Sequence, residues 1–247
     1  MNPRPVKPEP DNTGGGRCKK YTPSTKREFY FYMNTIIFAN GDVDHPDLLH
    51  AILKMGEFLI AADGGLRHIR KLGMKPDIVI GDLDSIADDD SEWIKENHIE
   101  IRKFPKKKDQ TDLELALLVA VDRAGDPITV VGALGGRIDQ TLTNIFLLLM
   151  PELQSADIRF DDGHEELFLI QNHGYVIGKK GDTVSLLPLL SPARGIKTKG
   201  LRFPLQDEIL FPERSRGVSN EMESEKAEVS LKSGVLLCIH TRNFEGK

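Results

Sequence analysis

The chain has 247 residues, with 33 Lys and Arg against 38 Asp and Glu for a net charge of -5, and its mean hydropathy is -0.31. Such a length and composition accommodate one large or two modest globular domains, and the acidic balance lacks the electrostatic footprint of a nucleic-acid binder. Two cysteines, Cys18 in a polar start and Cys238 in an apolar run, make no disulfide framework, and no apolar stretch approaches the ~20 residues that span a bilayer.

Residues 1–33 stand apart. They carry Pro3, Pro5, Pro8 and Pro10, the run Gly14-Gly15-Gly16, and seven Lys/Arg against three Asp/Glu, a net +4 that leaves -9 for the remainder. A segment of that kind buries too little apolar area to order itself, so a disordered tail is expected. Met33 directly precedes the first good strand, so a start of translation there is the alternative expectation. No basic start followed by an apolar run and a small-residue cleavage site marks a secretory signal, which leaves the cytoplasm as the expected compartment.

From residue 35 the pattern becomes regular. Thr35–Ala39 is short and β-rich and runs into Asn40-Gly41-Asp42. Pro46 opens a helical pattern with Leu48, Leu49, Ile52 and Leu53 on one face. Strands are predicted at Phe58–Ala61, Asp77–Ile80, Ile99–Phe104 and Ile128–Val131. Helices are predicted at Leu66–Leu72, at Ser91–Asn97 with Ser91 as its cap, at Leu113–Ala124, and at Ile138–Met150 stopped by Pro151. Apolar strands alternating with helices predict an α/β domain over 34–155 with a doubly wound, mostly parallel sheet. Beyond Ala156 the texture changes to short β-type runs between glycines: Leu167–Ile170, Tyr175–Ile177, Thr183–Pro188, Ile196–Thr198, Val229–Leu231 and Val235–Thr241. Helical periodicity nearly vanishes there, and an all-β sandwich or barrel is predicted over 156–247.

The chemistry-bearing residues gather at the ends of the predicted strands, the edge where an open α/β sheet binds ligands. Asp63-Gly64-Gly65 follows the second strand, where glycine lets backbone approach a phosphate and the next helix offers its amides. Asp82 and Asp84 follow the third, and paired carboxylates there suit a hard cation such as Mg²⁺ that shares its shell with water and phosphate. Lys106-Lys107-Lys108-Asp109-Gln110-Thr111-Asp112 lies between a strand and a helix, with Asp112 in the first helical turn. Gly132-Ala133-Leu134-Gly135-Gly136-Arg137-Ile138-Asp139-Gln140 forms a further glycine turn, in which Arg137 can take phosphate oxygens two at a time. There is no G-x-x-x-x-G-K-[ST] and no G-x-G-x-x-G with a distal acid, so neither a P-loop enzyme nor a nicotinamide enzyme is indicated. The seven histidines show no zinc spacing.

Taken together, AADGG at 61–65, PDIVIGDLDS at 76–85, KDQTDLELAL at 108–117, GALGGRIDQTLTNI at 132–145, GDTVSLLPL at 181–189 and SRGVSNE at 215–221 resemble the thiamin pyrophosphokinase family, particularly its bacterial form. The resemblance runs from about residue 35 to the end and omits residues 1–33. It implies an N-terminal α/β domain, a C-terminal β-sandwich and a homodimer with active sites at the subunit interface. It also implies transfer of pyrophosphate from ATP to the thiamin hydroxyl, giving thiamin diphosphate and AMP. On that resemblance Asp82, Asp84 and Asp112 hold Mg²⁺ and form the catalytic centre, Asp63, Asp109 and Thr111 lie near the triphosphate, and Arg137 and Asp139 contact the nucleotide. Ser219 and Asn220 match the aminopyrimidine-recognition segment. The family's bacterial turn carries Asp-His where this chain has Asp139-Gln140, and Trp93, the single tryptophan, lies in the α/β half. The sequence leaves open which carboxylate takes the hydroxyl proton. A pyrophosphokinase for another hydroxymethyl heterocycle, such as a pterin, and a non-catalytic binding module are the alternatives.

Overall fold

Strand β1 (Met33–Phe38) alternates sides residue by residue, and the alternation sorts the whole α/β half. Ile36 and Phe38 enter one apolar cluster with Leu59, Leu66, Ile69, Val79 and Ile94. Ile37, between them, enters another with Ile60, Ile78, Ile80, Leu115 and Leu117. The computed structural model describes residues 33–43, 49–81, 88–104, 109–123 and 125–244. Residues 1–32 of the expected tail, Pro46, Leu48, Asp82, Asp84 and the lysine run 106–108 lie outside the described residues, while Met33 already belongs to β1.

Around β1 lie β2 (Phe58–Ala62), β3 (Ile78–Gly81), β4 (Glu100–Lys103) and β5 (Gly125–Val131), all parallel and in the order β4-β3-β2-β1-β5. Helices α1 (His50–Leu53), α2 (Leu66–Lys71) and α3 (Asp88–Glu96) contribute to the first cluster, and α4 (Asp112–Asp122) and α5 (Ile138–Leu147) to the second. The inner strands β2 and β3 are apolar throughout, whereas the edge strand β4 carries Glu100, Arg102 and Lys103 and is mostly exposed. Charge on an edge strand discourages pairing with another chain. Successive strands from β1 to β4 step one way across the sheet, and β5 then returns to the far side of β1. This reversal leaves a crevice between the carboxyl ends of β1 and β5, the place where open α/β sheets take their ligands.

The second half is antiparallel: β6 (Ile158–Asp161), β7 (Glu165–Ile170), β8 (His173–Ile177), β9 (Thr183–Lys199), β10 (Gln206–Leu210), β11 (Asn220–Glu221), β12 (Lys226–Ser230) and β13 (Ser233–Thr241). Its own apolar cluster includes Phe168, Val184, Leu186, Ile196, Leu210, Met222, Val229 and Leu236, the inner filling of the predicted sandwich. Both predicted architectures are present. Hydrogen bonding nevertheless runs without a break from one to the other, because β6 pairs parallel to β5 and antiparallel to β7.

Several local expectations differ from the structure. Ser91 is inside α3 rather than its cap, because the helix already begins at Asp88. Carboxylates at 88–90 favour the positive end of the helix dipole and extend it N-terminally. Helix α5 ends at Leu147, and Leu148, Leu149 and Met150 bond back three residues in a tightened turn before Pro151. Two predicted runs, Thr183–Pro188 and Ile196–Thr198, are one long strand β9, which Leu190 and Gly195 bend by adopting positive φ. Strands β6 and β10 have no clear sequence signal: each is short and charged, and each exists because a neighbour supplies its ladder.

Candidate active site

Four sequence-predicted residues converge at the crevice between β1 and β5. A cleft of about 260 Å³ opens there, and Asp63, Thr111, Asp112 and Asp139 line it together with Asn40 and Thr143. Its floor depends on two close-packed strand ends. The amide of Gly41 donates to the carbonyl of Gly132 at 2.9 Å, and a Cβ on Gly41 would stand 2.3 Å from that oxygen. Only glycine permits the approach.

One side of the cleft is braced by α2. Arg67 donates to the Oδ1 of Asn40 at 2.7 Å and to its carbonyl at 2.8 Å. His68 Nε2 donates to the Gly41 carbonyl at 2.8 Å, and burial holds its imidazole below the ordinary range. A neutral ring with its proton on Nε2 is the tautomer this bond requires. Asp63, which opens the turn into α2, adopts φ 48. That left-handed conformation disfavours most side chains but is tolerated by Asp.

Asp112 approaches from the opposite side. Thr111 caps α4 by accepting from the Glu114 amide at 3.1 Å, and Gln110 donates to Glu114 Oε1 at 3.0 Å. This cap fixes the first turn and with it Asp112. A Cβ placed on Gly81 would lie 3.5 Å from the Asp63 Cα and 3.7 Å from the Asp112 Cγ. The end of β3, the backbone of Asp63 and the carboxyl of Asp112 therefore meet at one point. Asp82 and Asp84, which continue from β3, lie outside the described residues, and among the described residues no group of three His, Cys, Asp or Glu side chains is arranged to hold a metal ion. Asp63 and Asp112 both line the cleft, and carboxylates are hard oxygen donors of the kind that suit Mg²⁺ rather than a softer metal.

The start of α5 closes the third side. Arg137 forms a fork with Asp139, Nε to Oδ1 at 3.0 Å and Nη2 to Oδ2 at 2.5 Å. Both side chains are exposed. The hydrogen bond from Arg137 holds the Asp139 carboxyl below its usual range. Asn144 donates to the Ala133 carbonyl at 2.8 Å, tying the loop after β5 to the helix. The N-terminal ends of α4 and α5 thus both face the cleft, and both favour an anion there. Asp109 is exposed two residues ahead of Thr111 and does not line the cleft.

Two family models match the chain. The thiamin pyrophosphokinase catalytic domain matches residues 49–160, and the thiamin pyrophosphokinase vitamin B1 binding domain matches residues 170–236. The chain belongs to the thiamin pyrophosphokinase family. It is 28% identical over 184 residues to the thiamine pyrophosphokinase of Bacillus subtilis, across 74% of this chain and 86% of that protein. It is 29% identical over 202 residues to thiamine pyrophosphokinase 1 of Oryza sativa subsp. japonica, across 76% of this chain and 74% of that one. The crystal structure of the Bacillus subtilis thiamine pyrophosphokinase superposes with a TM-score of 0.76 at 25% identity, covering 85% of this chain and all of that one.

The remaining two expected residues of this thiamin pyrophosphokinase family member lie on the sandwich, outside the cleft lining. Ser219 has φ 57 and is exposed, and its amide donates to Ser185 Oγ at 3.0 Å. Asn220 is buried. Its Oδ1 accepts from the amides of Phe203 at 3.0 Å and Glu221 at 2.9 Å, and its Nδ2 donates to the Phe203 carbonyl at 2.8 Å. Those bonds fill both acceptor positions of the amide and leave one N–H. The side chain therefore anchors the loop around Phe203 as well as standing beside Ser219. Sequence reasoning passed over Asn40, Thr143 and Asn144. Signals existed for each: Asn40 follows a buried strand as Gly132 does, and Thr143 and Asn144 stand one helical turn beyond Asp139 and Gln140, where spacing puts them on the same face.

Proposed function

We propose that this chain transfers the β,γ-diphosphoryl unit of ATP to the hydroxyl of thiamin, releasing AMP and forming thiamin diphosphate. The protein is a thiamin diphosphokinase, an enzyme of thiamin diphosphate synthesis. The observation that carries the finer reading is the meeting of Asp63, Gly81 and Asp112 at the switch-point cleft.

Transfer of this kind depends on positioning and on offsetting charge at the phosphates. The amino ends of α4 and α5 direct backbone N–H groups and their dipoles at the triphosphate. Arg137, oriented by Asp139, binds phosphate or ribose oxygens from the rim, and Asn40, held by Arg67, lines the nucleotide side. Asp63 and Thr111 complete the polar wall, and Asp109, exposed just ahead of Thr111, approaches the triphosphate from outside the cleft lining. Asp82, Asp84 and Asp112 would hold Mg²⁺, which when bound neutralises phosphate charge and polarises the attacked β-phosphorus. Ser219 and Asn220 supply the hydroxyl and amide that recognise the aminopyrimidine, with the division between the nucleotide half (34–155) and the thiamin half (156–247) crossed by the β5–β6 pairing. Ser219 and Asn220 reach a cleft through association with a second copy of the chain. In support, α5 exposes Ile138, Leu142 and Phe146, four residues apart on one face beside the cleft, at 76%, 50% and 51% of full exposure. An aligned apolar stripe on a helix is an unsatisfied packing surface.

The test is release of AMP from ATP and Mg²⁺ by the full chain, with and without thiamin. Thiamin-dependent AMP matched by thiamin diphosphate is expected. AMP formed only with another hydroxymethyl heterocycle would replace the acceptor, and thiamin binding without any AMP would reduce the protein to a binding module.

A further inference from the structure

The largest set of buried charges in the described residues lies away from the cleft, and the transfer reaction makes no use of it. His240 on β13 is fully buried. Its Nε2 stands 2.9 Å from Asp182 Oδ2 and its Nδ1 3.3 Å from Glu166 Oε2. Each ring nitrogen thus faces a carboxylate oxygen, and only an imidazolium can donate from both. From β6, Arg159 donates to Glu166 at 2.7 Å, and Asp157 pairs with Arg159 at the rim. Past β13, Arg242 forks onto Asp161 at 2.8 and 2.7 Å and approaches Glu166 at 3.9 Å. Asp162 faces Arg242 from the turn after β6, and Cys238 is the buried thiol on His240's own strand. Three buried carboxylates, Asp161, Glu166 and Asp182, therefore meet Arg159, Arg242 and His240. The group is balanced only with His240 charged.

Asp182 links this cluster to the thiamin half's recognition segment. Its Oδ1 accepts from the Asn243 amide at 2.9 Å and its Oδ2 from the Lys179 amide at 2.8 Å. Its own carbonyl accepts from the Met222 amide at 2.8 Å, and the Gly181 amide donates to the Met222 carbonyl at 2.8 Å. Immediately beyond, Thr183 pairs with Glu221 and Val184 with Asn220, and Ser185 receives the Ser219 amide. Residues 219–222 are thus held by residues 181–185, and the turn that begins that stretch is held by His240.

We propose that His240 is a positioning residue for thiamin recognition: as an imidazolium clamped between Glu166 and Asp182, it fixes the 181–185 stretch and thereby Ser219 and Asn220. The inference rests on the reading of Ser219 and Asn220 as the thiamin segment. Burial works against the charge on His240, but the bonds to Glu166 and Asp182 outweigh it and hold the ring above its ordinary range. A raised value means that the clamp, complete where the ring is charged and Glu166 and Asp182 are ionised, persists above the ordinary imidazole range and is lost as pH rises through the folded value. Gly178 packs on the same pair, since a Cβ there would sit 2.6 Å from both Asp182 Oδ2 and His240 Nε2.

The experiment combines ring ¹⁵N shifts of His240 and amide shifts of residues 219–222 in the full chain between pH 6 and 10 with steady-state kinetics for both substrates. An imidazolium is expected at pH 7, with the 219–222 amides moving at the same midpoint as the ring. His240→Gln, neutral at every pH, is expected to raise the thiamin KM about tenfold and flatten its pH dependence while the ATP KM stays unchanged. Gly178→Ala, which keeps the histidine but wedges the pair, is expected to do the same. A neutral ring at pH 7 in the native enzyme, amides indifferent to the ring, or equal rises in both KM values would overturn the proposal. Ser219→Ala separates the two readings. An unchanged thiamin KM in that variant would remove the segment from thiamin recognition and the inference with it, even where the amides follow the ring. A raised thiamin KM in Ser219→Ala with a normal one in His240→Gln would refute the positioning role alone.

Discussion

Glu166 offers a sharp test of the buried charge cluster as a source of stability. It is 8% exposed, and its two oxygens face Arg159 and His240. Burial alone would raise its carboxyl, but the hydrogen bond from His240 and the charge of Arg159 prevail and bring it from 4.5 to about 2. That gap corresponds to ~3 kcal/mol of folding stability at neutral pH. The sign follows from the direction: a folded-state value below the unfolded one stabilises fully above about pH 5 and is lost as the pH falls toward 2. By pH 3 roughly 2 kcal/mol of it is gone. The assay is urea unfolding of the native chain and of Glu166→Gln at pH 7, 5, 4 and 3. At pH 7 the variant is expected to be less stable by ~3–5 kcal/mol, because Arg159 and His240 lose the buried carboxylate between them and keep only Asp157 and Asp182. The difference should narrow by about 2 kcal/mol between pH 5 and pH 3. Other carboxylates titrate in both chains and cancel in the comparison. Stability curves that stay parallel across that range would refute the assignment of the low-pH loss to Glu166.

Asp112→Asn removes a charge at the cleft without disturbing the Thr111 cap; turnover should fall at least ~100-fold with the melting temperature nearly unchanged, and a folded variant with normal turnover would take Asp112 out of the reaction. Asn220→Ala strips the acceptor from the buried amides of Phe203 and Glu221. It should therefore cost ~1–3 kcal/mol in unfolding and also raise the thiamin KM more than the ATP KM; the opposite order of KM effects would unseat the pyrimidine assignment. Leu142→Glu with Phe146→Glu places two charges on the exposed stripe of α5 and should yield monomers in sedimentation, with thiamin-dependent turnover lost; an unchanged assembly would move the interface elsewhere.

How much of the site was legible depended on whether the signal was local. Asp63, Thr111, Asp112 and Asp139 each follow or begin a regular element, so the strand-end rule located them before their mutual distances were known. Asn40 has a plain turn as its only mark in the sequence, and its place in the cleft comes from Arg67, 27 residues further along. For Asn220, hydrogen-bonding type suggested ligand recognition, whereas folding brings Phe203 against it and gives most of its amide to the backbone. Resemblance supplied Ser219 and Asn220; neither periodicity nor composition would have.

What the sequence determined by itself is the periodic part: period-two apolar runs and helical stripes in alternation, then runs between glycines, which suffice for a parallel sheet followed by an antiparallel sandwich. Backbone preference and burial of one face act within a few residues, and those terms are written in the chain. The tertiary structure alone decided that β6 joins the two halves into one sheet, that β9 is a single bent strand with four partner strands, and that Asp161, Glu166, Asp182, His240 and Arg242 form one buried cluster. A strand exists only through the ladder its neighbours supply, and a charge is tolerated in a core only where distant residues neutralise it. Both conditions join residues far apart in the chain, as Phe38 with Val131 in the β1–β5 ladder and Arg242 with Asp161 in the cluster, a separation over which the local pattern carries no information.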